Sequence, residues 1–357
     1  MNFIGVFTPI ALLGLLSCSP AKNTVELSDE QSSHSHKSFS HFQQVSTSQD
    51  GDYFIVASNG IPDHPVMEGI TNWQQQVVLP QDYTANNAWK IPLHPELAET
   101  PLLTQEHFHR GAIAVAVNGV PIFNAMNNRG EFATDIGELD RWGGHAGKAD
   151  DYHYHLIPEH LEQVVGENNP VAFALDGFPV FGQTDAQLDE YLGRFTESGS
   201  YQYHAVDYAP YFIAGLRGKV STDSPGNAPE DQIVPQPFTR PVRTADYGPL
   251  RGAEITRFIK HQAHSYSLEY QLNGHSHRIN YNWDQEGLYQ FEYVDADGNI
   301  TTEEYKKSES LVKGHSKEPQ IKASHSGQIR EADPERKYCG DGICDSTETL
   351  QQCPADC

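Results

Sequence analysis

The run Gly143-Gly144-His145-Ala146-Gly147-Lys148-Ala149-Asp150-Asp151-Tyr152-His153-Tyr154-His155 carries the reading of this chain. Its last four residues alternate strictly, so a β-strand puts Tyr152 and Tyr154 on one face and His153 and His155 on the other. Two positions apart on a strand is about 6.5 to 7 Å, close enough for both imidazoles to lean onto one metal ion. His145, in the same glycine-framed run, is a further candidate ligand.

Working outward, two other stretches repeat the theme. His107-Phe108-His109 leads into Gly111 to Val117, an apolar run that reads as a buried strand; Asn118-Gly119 is a hairpin turn and Val120 to Phe123 the return strand. Downstream, Val171 to Leu175 is a second buried strand, and Asp176-Gly177-Phe178-Pro179 turns it back. Tyr201-Gln202-Tyr203-His204 then echoes the opening motif, with Gln202 in the place of His153. The expected geometry brings three separated strands to one point, with His153 and His155 as core ligands and His107, His109, His145 and His204 as candidates for the third and fourth. Asp176, ending a strand beside a glycine, reads as a metal ligand, a base or an acceptor for turn amides. Asp63 and His64 follow the strand Tyr53 to Ala57 on a loop marked by Asn59-Gly60 and Pro62. Gln75 to Leu79 and Ala88 to Ile91 read as short strands, and Pro158 to Val165 as a short helix.

The elements Ser58-Asn59-Gly60-Ile61-Pro62, Asn118-Gly119-Val120, Gly144-His145 to His155, Asp176-Gly177-Phe178-Pro179 and Tyr201 to His204 occur in the order, and with the wording, of the YHYH domain family, which this chain resembles. The resemblance implies an exported bacterial protein of β-rich fold with a few short helices; it brings no reaction.

Acidic residues outnumber basic ones 48 to 24, and a formal charge of -24 repels nucleic acid and anionic membrane surfaces, leaving cations as the natural small partners. Residues Phe3 to Leu16 are apolar but too short to span a bilayer comfortably, as in an export signal. Leu15-Leu16-Ser17-Cys18 resembles the lipobox of bacterial lipoproteins, which implies acylation of Cys18 and a membrane anchor in the cell envelope. The expected organisation is a signal over 1–18, a polar linker over 19–46, the main domain over 47–220, a connector over 221–254, an antiparallel meander over 255–310, a second linker over 311–337 and a cysteine-rich module over 338–357. In that last module Cys339, Cys344, Cys353 and Cys357 suit two disulfides in an exported chain, and Asp341, Asp345, Glu348 and Asp356 offer the oxygens that calcium prefers.

Three functional readings follow. Imidazole-rich sites suit zinc or copper, which makes the main domain a metal-binding module. Three histidines with an open fourth position make a metal-dependent hydrolase of an envelope substrate, with Asp176 or Asp63 as base. A hydrogen-bonded histidine and tyrosine core makes a non-catalytic surface protein that binds carbohydrate or protein.

Overall fold

In the computed structural model, which describes residues 36–307 other than 225, 227 and 244–246, 38% strand against 7% helix makes the chain β-rich. β1 (Ser46–Asp50), β2 (Tyr53–Ala57) and β3 (Trp89–Pro92) form an antiparallel three-stranded sheet. Next, β4 (Leu97–Leu103) runs along the edge of the domain. The centre of the fold is an eight-stranded sheet of β5 (Ala112–Ala116), β6 (Pro121–Phe123), β7 (Gly144–Ala146), β8 (Tyr152–Tyr154), β9 (Ala172–Ala174), β10 (Pro179–Phe181), β11 (Gly193–Phe195) and β12 (Tyr201–His204). Its spatial order is β11-β12-β10-β9-β5-β6-β8-β7.

That order reads the same from both ends. An outer antiparallel hairpin, β7 with β8 or β11 with β12, lies parallel to the second strand of an inner hairpin, β5 with β6 or β9 with β10. The two inner hairpins meet where β5 pairs antiparallel with β9, and Ala114↔Ala174, Val115↔Phe173 and Ala116↔Ala172 place a pseudo-two-fold axis at the central pair. The sequence supports the symmetry: Val117-Asn118-Gly119-Val120-Pro121-Ile122-Phe123 matches Leu175-Asp176-Gly177-Phe178-Pro179-Val180-Phe181, and Leu139 to His155 aligns without a gap on Leu188 to His204. In the inner turns Gly119 and Gly177 take φ +81° and +98°, conformations that a side chain strains. β5 and β9 are buried along their whole length, as continuous apolar runs require.

The two strands with tyrosine-histidine pairs therefore stand apart, β8 and β12 being separated by β6, β5, β9 and β10, and their histidines do not converge. Each belongs to its own copy of the repeat.

Around this sheet, β13 (Gly215–Gly218) pairs with β4, and β14 (Ser221–Thr222) with β15 (Ile233–Val234). β16 (Ala253–Gln262), β17 (Ser265–Leu272), β18 (His275–Trp283), β19 (Leu288–Val294) and β20 (Ile300–Lys306) form the antiparallel meander, with one strand more than the two hairpins expected from sequence. Its buried face of Tyr266, Leu268, Ile279, Tyr281, Tyr289 and Phe291 joins the same hydrophobic cluster as the main sheet. Main-chain bonds from Gly69 N to Ile255 O and from Ile255 N to Ile70 O stitch the two together.

Two segments differ from the sequence reading. The described part of the expected linker, residues 36–45, packs against the domain: Phe39 is buried and stacks on Phe173 at 5.5 Å, and Phe42 is buried beside it. Two phenylalanines one 3₁₀ turn apart, in the turn His36–His41 and just after it, anchor an otherwise polar stretch. Residues Gln75 to Leu79 form no strand, because their amides are taken by a loop: Val77 N donates to Asp150 Oδ1 and Leu79 N to Asp150 O. Cys18 and the whole cysteine-rich module, with its candidate disulfides and calcium ligands, lie outside the described residues.

Candidate metal centre

The outer hairpin β7–β8 owes its shape to one carboxylate and one glycine. Asp140 accepts from Trp142 N at 2.9 Å and Gly144 N at 3.2 Å through Oδ1, and from Met67 N and the Tyr152 hydroxyl, both at 2.8 Å, through Oδ2. To reach it Tyr152 lies over Gly144, where a Cβ would stand 2.5 Å from the hydroxyl and 2.7 Å from the His153 carbonyl. Burial pushes Asp140 up to about 6, against the pull of its four donors.

This arrangement fixes the strand facing. Tyr152 and Tyr154 enter the core, while His153 and His155 turn to the opposite face and meet His145 from the partner strand, directly across from His153 in the ladder. One ligand atom from each of His145, His153 and His155 lies within 4.8 Å of the others, and among the described residues no other such group of three occurs. His145 Nε2 and His155 Nε2 are 3.1 Å apart. Two nitrogens bound to one zinc ion at about 2.0–2.1 Å stand roughly 2.9–3.4 Å apart for angles between square and tetrahedral, so this pair already has the spacing of two ligands.

Two of the Nδ1 atoms are committed. His153 Nδ1 donates to the Asp151 carbonyl at 2.9 Å, and His155 Nδ1 donates to the Asn124 carbonyl. A carbonyl accepts only, so both rings carry their proton on Nδ1 and present Nε2 as a lone pair, the tautomer a metal needs. Asn124 is itself held, its side-chain amide donating to Thr104 O at 2.6 Å and His107 O at 3.1 Å. Phe123 stacks on His153 with centroids 4.0 Å apart. Gly147 leaves room for the same ring, since a Cβ there would stand 2.9 Å from His153 Cε1.

Burial holds His145 and His155 neutral. His155 is pulled down to about 3 by desolvation and the nearby His153. His145 is held well below its ordinary value by desolvation, by the other two imidazoles and by the Arg129 charge. His153 and His155 are buried and His145 is partly exposed, so the cluster opens on the β7 side.

The other expected ligands are engaged elsewhere. His107 Nδ1 lies 2.9 Å from Asp231 Oδ2, and Asp231 also accepts from Phe108 N, which ties the expected connector back onto the domain. His109 N donates to Pro229 O, and its buried Nε2 has no hydrogen-bond partner. His204 Nδ1 donates to Gly182 O at 2.9 Å and its Nε2 lies 2.7 Å from Gln202 Nε2. None of the three joins the cluster: His107 and His109 lie on the irregular segment between β4 and β5, not on a strand, and His204 ends β12 at the far end of the sheet.

Neither candidate base joins the cluster. Asp176 accepts from Phe178 N, Gly218 N and the Tyr203 hydroxyl, the turn-acceptor role among its readings, and burial raises its carboxyl. Asp63 is exposed on its loop. Its neighbour His64 instead reaches the tyrosine face: Nδ1 donates to Pro65 O, and Nε2 accepts from the Tyr154 hydroxyl at 2.7 Å, which in turn accepts from Asn118 Nδ2. A surface groove of about 660 Å³, lined by Tyr53, Lys90, Thr100 and Lys219 among others, contains none of the three clustered histidines. Chemistry and concavity do not coincide here, and the convergence of ligand atoms is the more specific signal.

Asn124, Phe123 and Gly147 escaped the sequence reading because backbone carbonyls and ring packing leave no residue-type signature. The position of Asn124, first after a core strand, is the only trace.

Fold and site define a β-sheet protein of internally repeated design, with a candidate three-histidine metal centre in one of its two outer hairpins. Residues 88–187 match the model of the family described as YHYH protein, which places a YHYH domain in this chain. The match spans β3 to β10 and ends before the second outer hairpin, β11–β12. No curated protein and no solved structure matches the chain.

Proposed function

We propose that this YHYH-domain chain is an exported, lipid-anchored envelope protein that binds one transition-metal ion, zinc or copper, through His145, His153 and His155. The observation that carries the reading is the set of three ligand atoms within 4.8 Å of one another, two of them on rings already oriented by carbonyl acceptors. His145 and His155, held neutral by burial, bind such an ion with no net loss of protons at neutral pH. The main domain has no cysteine in its sequence, which suits zinc or copper over iron-sulfur chemistry. Among the described residues no helix is long and apolar enough to cross a membrane; the anchor in this proposal is the acylated Cys18. The tail would hold two disulfides and a calcium ion in the same compartment.

A metal-dependent hydrolase is the second reading, favoured by the partly exposed His145, which leaves an accessible side for a fourth ligand. Asp176 does not serve it, since its oxygens are occupied. Asp63 lies exposed on its loop outside the cluster, so in that reading the three histidines would hold the ion, which would supply Lewis-acid activation of a water, and neither candidate carboxylate is placed to act as base.

Metal analysis of untagged protein tests the proposal. One equivalent of zinc or copper is expected, lost in the His153→Ala, His155→Ala variant while the far-ultraviolet circular dichroism is retained. A parent protein that takes up no metal at micromolar zinc or copper overturns it.

A further inference from the structure

The pseudo-two-fold axis sets Arg194, Gln202 and His204 where His145, His153 and His155 stand in the other half. The framework is the same to the level of single bonds. Asp189 accepts from Tyr191 N and Gly193 N at 3.0 Å and from the Tyr201 hydroxyl, as Asp140 does from Trp142 N, Gly144 N and Tyr152. Arg194 faces Gln202 across the hairpin as His145 faces His153. His204 Nδ1 donates to Gly182 O, and Gly182 follows Phe181 as Asn124 follows Phe123. His204 therefore presents the same Nε2 lone pair as His155.

The difference lies in what meets that lone pair. In the first half it is hydrogen-bonded at 3.1 Å to His145 Nε2, a ring nitrogen that becomes a lone-pair ligand by moving its proton to Nδ1; in the second it receives the Gln202 amide at 2.7 Å, which has no such form. An amide N–H donated into the lone pair caps it. Arg194, whose buried Nε has no hydrogen-bond partner, adds a positive charge and offers no lone pair.

We infer that Leu188–His204 is a second copy of the metal cradle held shut by Gln202, so that the chain carries one open and one closed site, and the side chains at 194 and 202 decide which is which. The inference rests on the metal reading of the first half. It makes positions 194 and 202 the determinants of metal stoichiometry, although neither belongs to the three-histidine cluster.

The experiment is a cobalt(II) and zinc(II) titration of untagged full-length protein, following cobalt absorption bands and bound zinc by equilibrium dialysis. Arg194→His, Gln202→His is expected to bind one equivalent more than the parent. The reciprocal change, His145→Arg, His153→Gln, writes the closed cradle into the first half and is expected to abolish binding while keeping the fold. A folded Arg194→His, Gln202→His protein with only the parent's stoichiometry overturns the inference. If the parent binds none and this variant one, the metal reading of the first half fails and the second cradle stands. If neither binds any, both fail. Should the double variant not fold, Gln202→His alone removes the cap and pairs two imidazoles; an added equivalent at about tenfold or more weaker affinity than a three-imidazole site supports the inference, and no added binding overturns it.

Discussion

The outer hairpins Leu139–His155 and Leu188–His204 share a fold and a bonding pattern and differ in how they are wrapped. In the first, Asp140 is only 6% exposed and takes an extra bond from Met67 N, while its counterpart Asp189 is exposed. The first turn is strapped by Val77 N and Leu79 N onto Asp150 and clamped by Arg243, which makes a bidentate ion pair with the same carboxylate and lies over the rings of Tyr247 and Phe291. The second turn, Thr196 to Ser200, includes bonds within itself, such as Ser200 N to Thr196 Oγ1, and has Gly199 where the first has Asp150. One backbone design thus yields two chemical environments. The framework orients a ring and selects its tautomer; the wrapping sets how deeply it is buried; the three side chains on the face set whether lone pairs or donors meet there.

Removing the clamp tests the first half of that comparison most severely. Arg243 and Asp150 side chains are each 3% exposed, so Arg243→Met strands a buried carboxylate and is expected to cost about 3–5 kcal/mol. The variant should also bind metal more weakly, because Asp150 adjoins Asp151, whose carbonyl orients His153. Ser200→Ala in the other turn is expected to cost under about 1 kcal/mol. Urea unfolding of the two variants reads the contrast, and equal midpoints would show that wrapping is not what separates the halves.

The second contrast concerns the carboxylate that each tyrosine reaches. Asp140→Ala leaves four donors without their acceptor in a buried setting, for an expected loss of about 3 kcal/mol. Asp189→Ala leaves three in a solvent-accessible one, where water replaces the carboxylate, for about 1 kcal/mol. Comparable losses in urea unfolding would make the local bonds, and not burial, the source of stability.

Much of this was legible in the sequence, and what was not has physical reasons. Alternation in Tyr152 to His155 identified the face that carries the histidines, and Asn118-Gly119 and Asp176-Gly177 marked the inner turns, because turn chemistry and period two are local. The echo at Tyr201 to His204 was visible, yet its meaning was inverted: the two copies sit at opposite ends of the sheet, since an antiparallel central pair relates them by a two-fold axis. His107 resembled a ligand because residue type and spacing cannot show that Asp231, far along the chain, would claim its ring. Asn124 acts through its carbonyl, which every residue possesses.

Acidification should separate the halves next. His155 is held at about 3 in the fold against an ordinary value near 6.5, so below pH 6.5 the unfolded chain binds a proton there that the folded chain does not. Its contribution is complete above pH 6.5 and is lost progressively as pH falls toward 3. Between pH 6.5 and 4.5 that amounts to about 2–3 kcal/mol for this one ring in metal-free protein. His155→Gln is expected to flatten the dependence of unfolding free energy on pH over that window. His204→Gln should flatten it less, because His204 is shifted down in the same direction by burial but lacks the two imidazole neighbours. Indistinguishable slopes for parent and His155→Gln would remove the electrostatic difference between the cradles.

The smallest contrast runs the other way and so separates burial from position in the repeat. Tyr154 and Tyr203 are equivalent, and each hydroxyl contacts the residue that opens the inner turn of its own half, Asn118 or Asp176. Tyr154→Phe leaves Asn118 Nδ2 and the partly exposed His64 Nε2 to find other partners, which is expected to cost about 1 kcal/mol. Tyr203→Phe takes a donor from the buried Asp176 and an acceptor from Arg217 N, and charged or buried groups left short of partners cost more, about 2 kcal/mol. The half with the three-histidine cluster is then the more tolerant one at this position. If urea unfolding instead ranks Tyr154→Phe as the costlier change, the hydroxyl bond to His64 is worth more than a buried carboxylate's third donor. The tyrosine face of the first copy would then be a second tightly coupled site behind the histidines, and not only the packing surface that holds them in place.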